Sequence, residues 1–343
     1  MLRNELNRRG VLQFAVGASF AGLAVLTGCE RAGGPQSTRT IRLRQEWFPF
    51  AGYAGEVLAA ARYAAALGIN LQVVPGGETI DPIRTVLARQ DDIGVVSGDL
   101  LIKAVAGGAP LVAIGVVNDI SPTCFIAKRD SNIATVADFV GKRIGILRGT
   151  NTERIYSVMM RRNGIERSRV TEVDAPFDLN TFILGQYDVR PAFVYDEPVT
   201  LGRANIPITI LRPADYGVRF VGTVYFTRRE LLESRRADLV AALQALVSGW
   251  REAAQPAGQA AAIAALKRQF PDIDQAKETE SLRLGASLFL GPQGSGRPLT
   301  VTPEHLRNTV DGLLELHELR ADLPIDRFWT DALLNEAYEK LHT

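Results

Sequence analysis

From residue 41 onward, short apolar and β-branched runs alternate with longer stretches whose apolar positions recur at helical spacing. That alternation predicts βαβ units around mostly parallel sheets. Ile41 to Gln45 reads as the first strand, and Gly55 to Leu67 as a helix of good formers that Gly68 ends as a C-cap. Asp81-Pro82 opens the next helix, an N-cap residue followed by proline at the first helical position, and that helix runs to about Arg89. Ile93 to Gly98 is a strand and turn, residues 98–107 are a helix, and Leu111 to Val117 is an unbroken apolar run that predicts a buried strand. Thr135 to Leu147 supplies a short helix, a stop at Gly141 and a strand. Thr150 and Glu153 are spaced as a capping box for a helix ending at Asn163-Gly164. Ala192 to Pro198 is a strand that runs into Asp196 and Glu197, and beyond Leu231 the pattern is almost wholly helical.

One stretch breaks the alternation. In Q-E-W-F-P-F-A-G-Y-A-G-E, residues 45–56, Trp47, Phe48, Phe50 and Tyr53 crowd together in a chain that is 7% aromatic overall. Pro49 removes a backbone donor, and Gly52 and Gly55 loosen the chain around it, so these rings belong to a loop.

The first residues have a different character. Three arginines and one glutamate precede an apolar run that ends in small residues at Cys29, the order of an export signal, residues 1–28. Arg8-Arg9 resembles a twin-arginine export signal, and Leu26-Thr27-Gly28-Cys29 resembles a bacterial lipobox, which implies lipidation of Cys29. The alternative is one membrane-spanning helix, since about 18 apolar residues just cross a bilayer. Cleavage shifts the formal charge from +1 to −1. Residues 29–40 are polar and glycine-rich, as suits a tether.

Composition narrows the function further. With 343 residues, 46% hydrophobic and 22% charged, the chain is an ordinary globular sequence long enough for two domains. Its near-zero charge offers no field for a nucleic-acid partner. Two cysteines and three histidines, all three at or beyond His305, build no metal site, and no phosphate loop or nucleophile elbow occurs. Cys124, within T-C-F-I-A, reads as a buried small residue, and Gly291 to Gly296 as a surface loop.

Several stretches then line up, in order, with one family. W-F-P-F-A-G-Y-A-G, L-A-R-Q-D-D-I-G-V-V-S-G, A-G-G-A-P-L-V-A-I-G, V-A-D-F-V-G-K-R-I-G-I, G-Q-Y-D-V-R-P-A-F-V-Y-D-E-P, D-Y-G-V and V-S-G-W-R-E-A-A resemble the bacterial solute-binding lipoproteins of ABC importers that carry sulfonates or thiamine-pyrimidine precursors. The resemblance implies an α/β, two-lobed type II periplasmic-binding-protein fold, each lobe a mostly parallel sheet flanked by helices, joined by two hinge strands. It implies lobe one from residues 41–125 and 225–343, and lobe two from 126–224. It also implies a monomer outside the cytoplasmic membrane, with a small-molecule ligand, permease and ATPase partners, a lipid anchor, and neither cofactor nor catalysis.

Ligands of open α/β sheets collect beyond the C-terminal ends of strands. Four stretches occupy such places. Trp47 and Tyr53 offer a stacking wall; Ser97 and Gly98 either face the ligand or cap a helix. Gly149, Thr150 and Asn151 present N–H groups at a helix start, where Thr150 either caps the helix or meets a polar or anionic ligand group. Tyr195 and Glu197 follow a strand, and Glu197 either accepts N–H bonds in the cleft or caps the helix at Pro198. Tyr216, from D-Y-G-V, completes the set by the resemblance. The rings point to a heteroaromatic vitamin precursor, a pyrimidine or a riboflavin-like ring, ahead of a sulfonate such as taurine or nitrate. A sensor lipoprotein is a third reading. Enzymatic relatives that make the thiamine pyrimidine use a histidine and a lysine near the first loop, and this chain has neither there.

Overall fold

The computed structural model describes residues 39–341. The expected signal, Cys29 and the tether as far as residue 38 lie outside the described residues; Arg39 and Thr40 already belong to the first strand.

Among the described residues ten strands form two five-stranded sheets. The first holds β1 (Arg39–Arg44), β2 (Ile69–Val74), β3 (Ile93–Ser97), β4 (Leu111–Val116) and β10 (Thr223–Arg228), in the order β2-β1-β3-β10-β4. The second holds β5 (Thr123–Lys128), β6 (Arg143–Ile146), β7 (Thr171–Asp174), β8 (Val189–Phe193) and β9 (Ile208–Leu211), in the order β7-β6-β8-β5-β9. In each sheet one strand opposes the rest: β10 lies antiparallel between β3 and β4, and β5 between β8 and β9. β3 and β4 are buried along their whole length, as their unbroken apolar runs predict.

The helices are α1 (Ala54–Leu58), α2 (Pro82–Leu87), α3 (Gly98–Ala106), α4 (Asn151–Arg162), α5 (Asn180–Ile183), α6 (Glu197–Arg203), α7 (Leu231–Ser234), α8 (Arg236–Ala253), α9 (Pro256–Gln269), α10 (Gln275–Gly285), α11 (Pro303–Glu315) and α12 (Ala332–Leu341). Asp81 caps α2 as its sequence predicts, accepting from the Ile83 N–H at 2.9 Å. The expected helix over 55–67 is helical but not uniform. After α1 the chain widens into a π turn, Ala59–Tyr63, then tightens into a 3-10 turn that Gly68 ends at φ +70°.

The capping box expected at Thr150 and Glu153 does not form. The Thr150 hydroxyl donates back to the Leu147 carbonyl at 2.7 Å, while Glu153 accepts the Gly149 N–H at 2.8 Å, one residue early. Arg148 and Arg167 flank the Glu153 carboxylate at 3.0 and 3.3 Å and hold it there. Thr135 and Asp138, not anticipated as a pair, do form such a box.

The chain crosses between the sheets twice, over residues 117–122 and 212–222. The crossings pair with each other: Ser121 N donates to Phe220 O at 2.7 Å and Gly222 N to Asn118 O at 2.8 Å. The divisions expected at 125/126 and 224/225 fall inside β5 and β10, each of which belongs wholly to one sheet. Cys124 is buried in β5, and burial pushes its thiol well above the usual range.

Beneath the first sheet, α1 and α8 cross at two glycines. A Cβ on Gly249 would stand 2.3 Å from the Gly55 carbonyl oxygen, and one on Gly55 would stand 2.2 Å from the Trp250 ring. Gly249→Ala should therefore destabilise the protein by about 1–3 kcal/mol through overpacking, more than the roughly 1 kcal/mol of helix propensity that alanine contributes. Urea denaturation of the pair of proteins checks this; an equal or higher midpoint for the alanine variant would contradict the close crossing.

Candidate functional site

A cavity of ≈ 350 Å³ lies where β1, β3, β6 and β8 end and where the two crossings run past them. Trp47, Tyr53, Ser97, Gly149, Thr150, Asn151, Tyr195 and Glu197 all line it. Gly98 and Tyr216 do not. Gly98 packs against Val221, with its N–H on the Gly222 carbonyl at 2.8 Å, and Tyr216 lies against the core of the second sheet.

The aromatic loop divides its work. Trp47, Phe50 and Tyr53 face the cavity, while Phe48 turns outward and is 51% exposed. From the second sheet come Phe177, Phe193 and Tyr195. Trp47 meets Phe177 at 4.6 Å between centroids, and Phe50 lies nearly parallel to Tyr195 at 6.2 Å. Phe177 and Phe193 carried no sequence signal for this role. Phe177 sits in the loop before α5, where the buried Arg190 binds the carbonyls of Phe177 and Asp178 at 3.2 and 2.6 Å.

Hydrogen bonds set the loop in place. The Trp47 N–H reaches the Tyr53 hydroxyl at 3.0 Å, and the Ala51 N–H reaches Glu278 Oε2 at 2.6 Å. Below it, the wholly buried Glu56 accepts from Gln45 Nε2 at 2.9 Å and from the Tyr225 hydroxyl at 3.0 Å, and that hydroxyl accepts from Trp250 Nε1 at 2.7 Å. Burial raises Glu56 to about 8, with the two donors opposing the shift.

Glu197 fits neither sequence reading alone. It lines the cavity and also closes the turn after β8, its Oε2 accepting the Phe193 N–H at 2.7 Å. Burial first, then the neighbouring Asp196, pushes it up to about 7. Arg190, 3.8 Å away, opposes that shift. Ser97 is buried, and its hydroxyl has no partner. Thr150 is at the N-cap of α4 but gives its hydroxyl to Leu147.

Sequence reasoning missed Glu46. It lies two residues past the end of β1, next to Trp47, and it lines the cavity half-buried. Burial, then the Asp99 carboxylate, raises it to about 8, and the Ser97 N–H offsets this in part. Its place as the first acidic residue after the strand was the available signal. Among the described residues the cavity lining contains no lysine, arginine, histidine or cysteine, no group of acidic, histidine and cysteine side chains is placed to hold a metal ion, and no helix is long and apolar enough to cross a membrane.

Ion pairs bridge the two sides beside the cavity. Arg154 on α4 donates to Asp99 on α3 at 3.1 Å and to Glu318 at 2.8 Å, and Lys103 also pairs with Glu318. Lys277 on α10 pairs with Asp196.

Comparison with known proteins places this geometry. Residues 53–260 match the family described as NMT1/THI5 like. No curated protein matches the chain by sequence. Among solved structures, the periplasmic aliphatic sulphonate binding protein SsuA from Escherichia coli is 18% identical, with a TM-score of 0.65 over 87% of this chain and 100% of that one. The periplasmic nitrate-binding protein NrtA from Synechocystis PCC 6803 is 10% identical, with a TM-score of 0.66 over 89% of each chain. The desulfurization enzyme DSZB is 14% identical, with a TM-score of 0.61 over 88% of this chain and 99% of that one. The shared property is the two-lobed periplasmic-binding-protein fold.

Arg154→Ala leaves Asp99, 1% exposed, without its counter-charge. Removing one partner of such a buried pair should cost roughly 3 kcal/mol. The double variant Arg154→Met with Asp99→Asn should recover most of it, because the uncompensated charge goes too. Denaturation of the wild type, Arg154→Met, Asp99→Asn and the double variant measures the coupling; additive losses would show that the pair is not coupled.

Proposed function

The chain belongs to the NMT1/THI5-like family, and from that premise we propose that it is the solute-binding component of an ABC importer, closing its two lobes on a small nitrogen heteroaromatic such as a pyrimidine vitamin precursor. The observation that carries this reading is the aromatic lining: six rings, from Trp47, Phe50, Tyr53, Phe177, Phe193 and Tyr195, surround ≈ 350 Å³. A flat ring stacked among them gains about 0.5–1.5 kcal/mol per aromatic pair beyond area burial. Glu197 accepts ring N–H groups, and the first turn of α4, from Asn151, meets a polar substituent with its N–H groups, those of Gly149 and Thr150 being taken by Glu153 and Leu147. The lobes are those of the two sheets, and the paired crossings at 117–122 and 212–222, which divide them, form the hinge. Closure about such a hinge is a known class of domain motion.

Two structural neighbours are an aliphatic sulphonate binding protein and a nitrate-binding protein, and the N–H groups at the start of α4 are the feature here that favours a small anion. Six rings favour a flat ligand instead. The fold also carries a desulfurization enzyme, but the cavity offers no cysteine or histidine among its described lining residues to act as nucleophile or base. The chain works outside the cytoplasmic membrane as a monomer held by lipidated Cys29, passing its ligand to a permease driven by an ATPase.

Calorimetric titration with aminopyrimidines, flavins, taurine and nitrate tests the ligand class. Trp47→Ala should weaken binding of the heteroaromatic by roughly ten- to a hundredfold, at a factor of ten per 1.4 kcal/mol. Binding of the small anions alone, equally strong without Trp47, would remove the heteroaromatic assignment. For the anchor, labelling with a fatty acid in cells should mark the native chain and fail for Cys29→Ser; equal labelling of both would refute lipidation at Cys29.

A further inference from the structure

The ligand's charge is a separate question from its flatness. Four carboxylates line the cavity, those of Glu46, Glu78, Asp196 and Glu197, and among the described lining residues no basic side chain answers them. The bases just outside are already engaged. Arg154 serves Asp99 and Glu318, Lys277 serves Asp196 and Glu278, and Arg190 serves Glu197 and three backbone carbonyls. Glu78 is exposed, so water solvates it.

Glu46 has neither water on all sides nor a basic partner. It stands half-buried in the wall with Asp99 behind it and Tyr53 beside it, and its one donor is the Ser97 N–H. An ionised carboxylate so placed is costly unless a cation joins it or it keeps a proton. Its raised value of about 8 means that at neutral pH it keeps the proton. Ser97, 4% exposed, lines the same wall, with its hydroxyl buried and unpartnered. The surrounding ring faces attract cations in their own right.

We propose that the cavity selects a heteroaromatic ligand that carries a positive charge, with Glu46 as its counter-ion. This rests on the solute-binding reading of the same site. Binding such a ligand takes the proton off Glu46 and releases it to solvent. The other ionisable groups facing Glu46 are Asp99, itself held by Arg154, and the Tyr53 hydroxyl, which burial raises well above its ordinary value.

The test is calorimetric titration of the whole chain with three aminopyrimidines that differ in one ring substituent: aminomethyl, an ammonium at neutral pH; hydroxymethyl, neutral; and carboxylate. The ammonium should bind about tenfold or more tightly than the hydroxymethyl compound, corresponding to ~1.4 kcal/mol, and the carboxylate most weakly. The ratio of ammonium to hydroxymethyl affinity should fall toward one in Glu46→Gln. Ammonium affinity should also rise between pH 6 and 8, by up to about tenfold per unit, with proton release seen as a dependence of the heat on the buffer. A hydroxymethyl or carboxylate compound that binds as tightly as the ammonium, or a ratio unchanged in Glu46→Gln, overturns the charge assignment and leaves the heteroaromatic reading standing. Failure of all three to bind overturns both.

Discussion

A single buried carboxylate organises the site from below. Glu56 is fully excluded from water, and an ion in that position is tolerable only with donors on its oxygens or a proton of its own. The Gln45 amide and the Tyr225 hydroxyl supply the donors, and Trp250 donates to the same hydroxyl. Those four residues lie at the end of β1, in α1, in the returning strand β10 and in α8. The loop that carries Trp47, Phe50 and Tyr53 begins at one member of this cluster and ends just before another, so its two ends are held on a shared hydrogen-bond network. Glu278 takes the Ala51 N–H from the far side and closes the frame. The Gln45 Oε1 atom is left without a partner, a cost the neighbouring bonds offset.

Because the chain leaves the first sheet and comes back, the site is split between parts far apart in sequence. The crossings hydrogen-bond to each other between the two sheets, and the proposed hinge would let one half pivot there on the other without opening either core. Contacts beside the cavity then oppose opening. Trp47 against Phe177 is an aromatic contact in reach of solvent, whereas Arg154 with Asp99 is a nearly buried ion pair. The second is the more consequential, since separating it leaves Asp99 to find new solvation.

The fold does not choose the ligand. The same two sheets appear in proteins named for sulphonate, for nitrate and for a desulfurization reaction, so the chemistry resides in side chains at strand ends. Here those side chains are rings and carboxylates, with the bases nearby committed to acidic partners.

Periodicity and punctuation made much of the architecture legible in the sequence. Asp81-Pro82 starts α2, Gly68 adopts the left-handed conformation that ends the first helical segment, and the unbroken run at 111–116 is a buried strand, because each depends on neighbours in the chain. The placement of Trp47, Ser97, Gly149 and Tyr195 around one cavity was legible for the same reason: strand ends in such sheets converge. Glu46, Phe177 and Arg154 were not, nor was the outward turn of Phe48 or the partnering of Glu153 with Gly149. Burial, and after it the Asp99 carboxylate, raises Glu46, Phe177 reaches Trp47 from a loop whose carbonyls Arg190 holds, and Arg154 matters because Asp99 and Glu318 surround it. Each of those properties is a distance between residues far apart along the chain, and desolvation and Coulomb interaction are set by such distances, which only the tertiary structure decides.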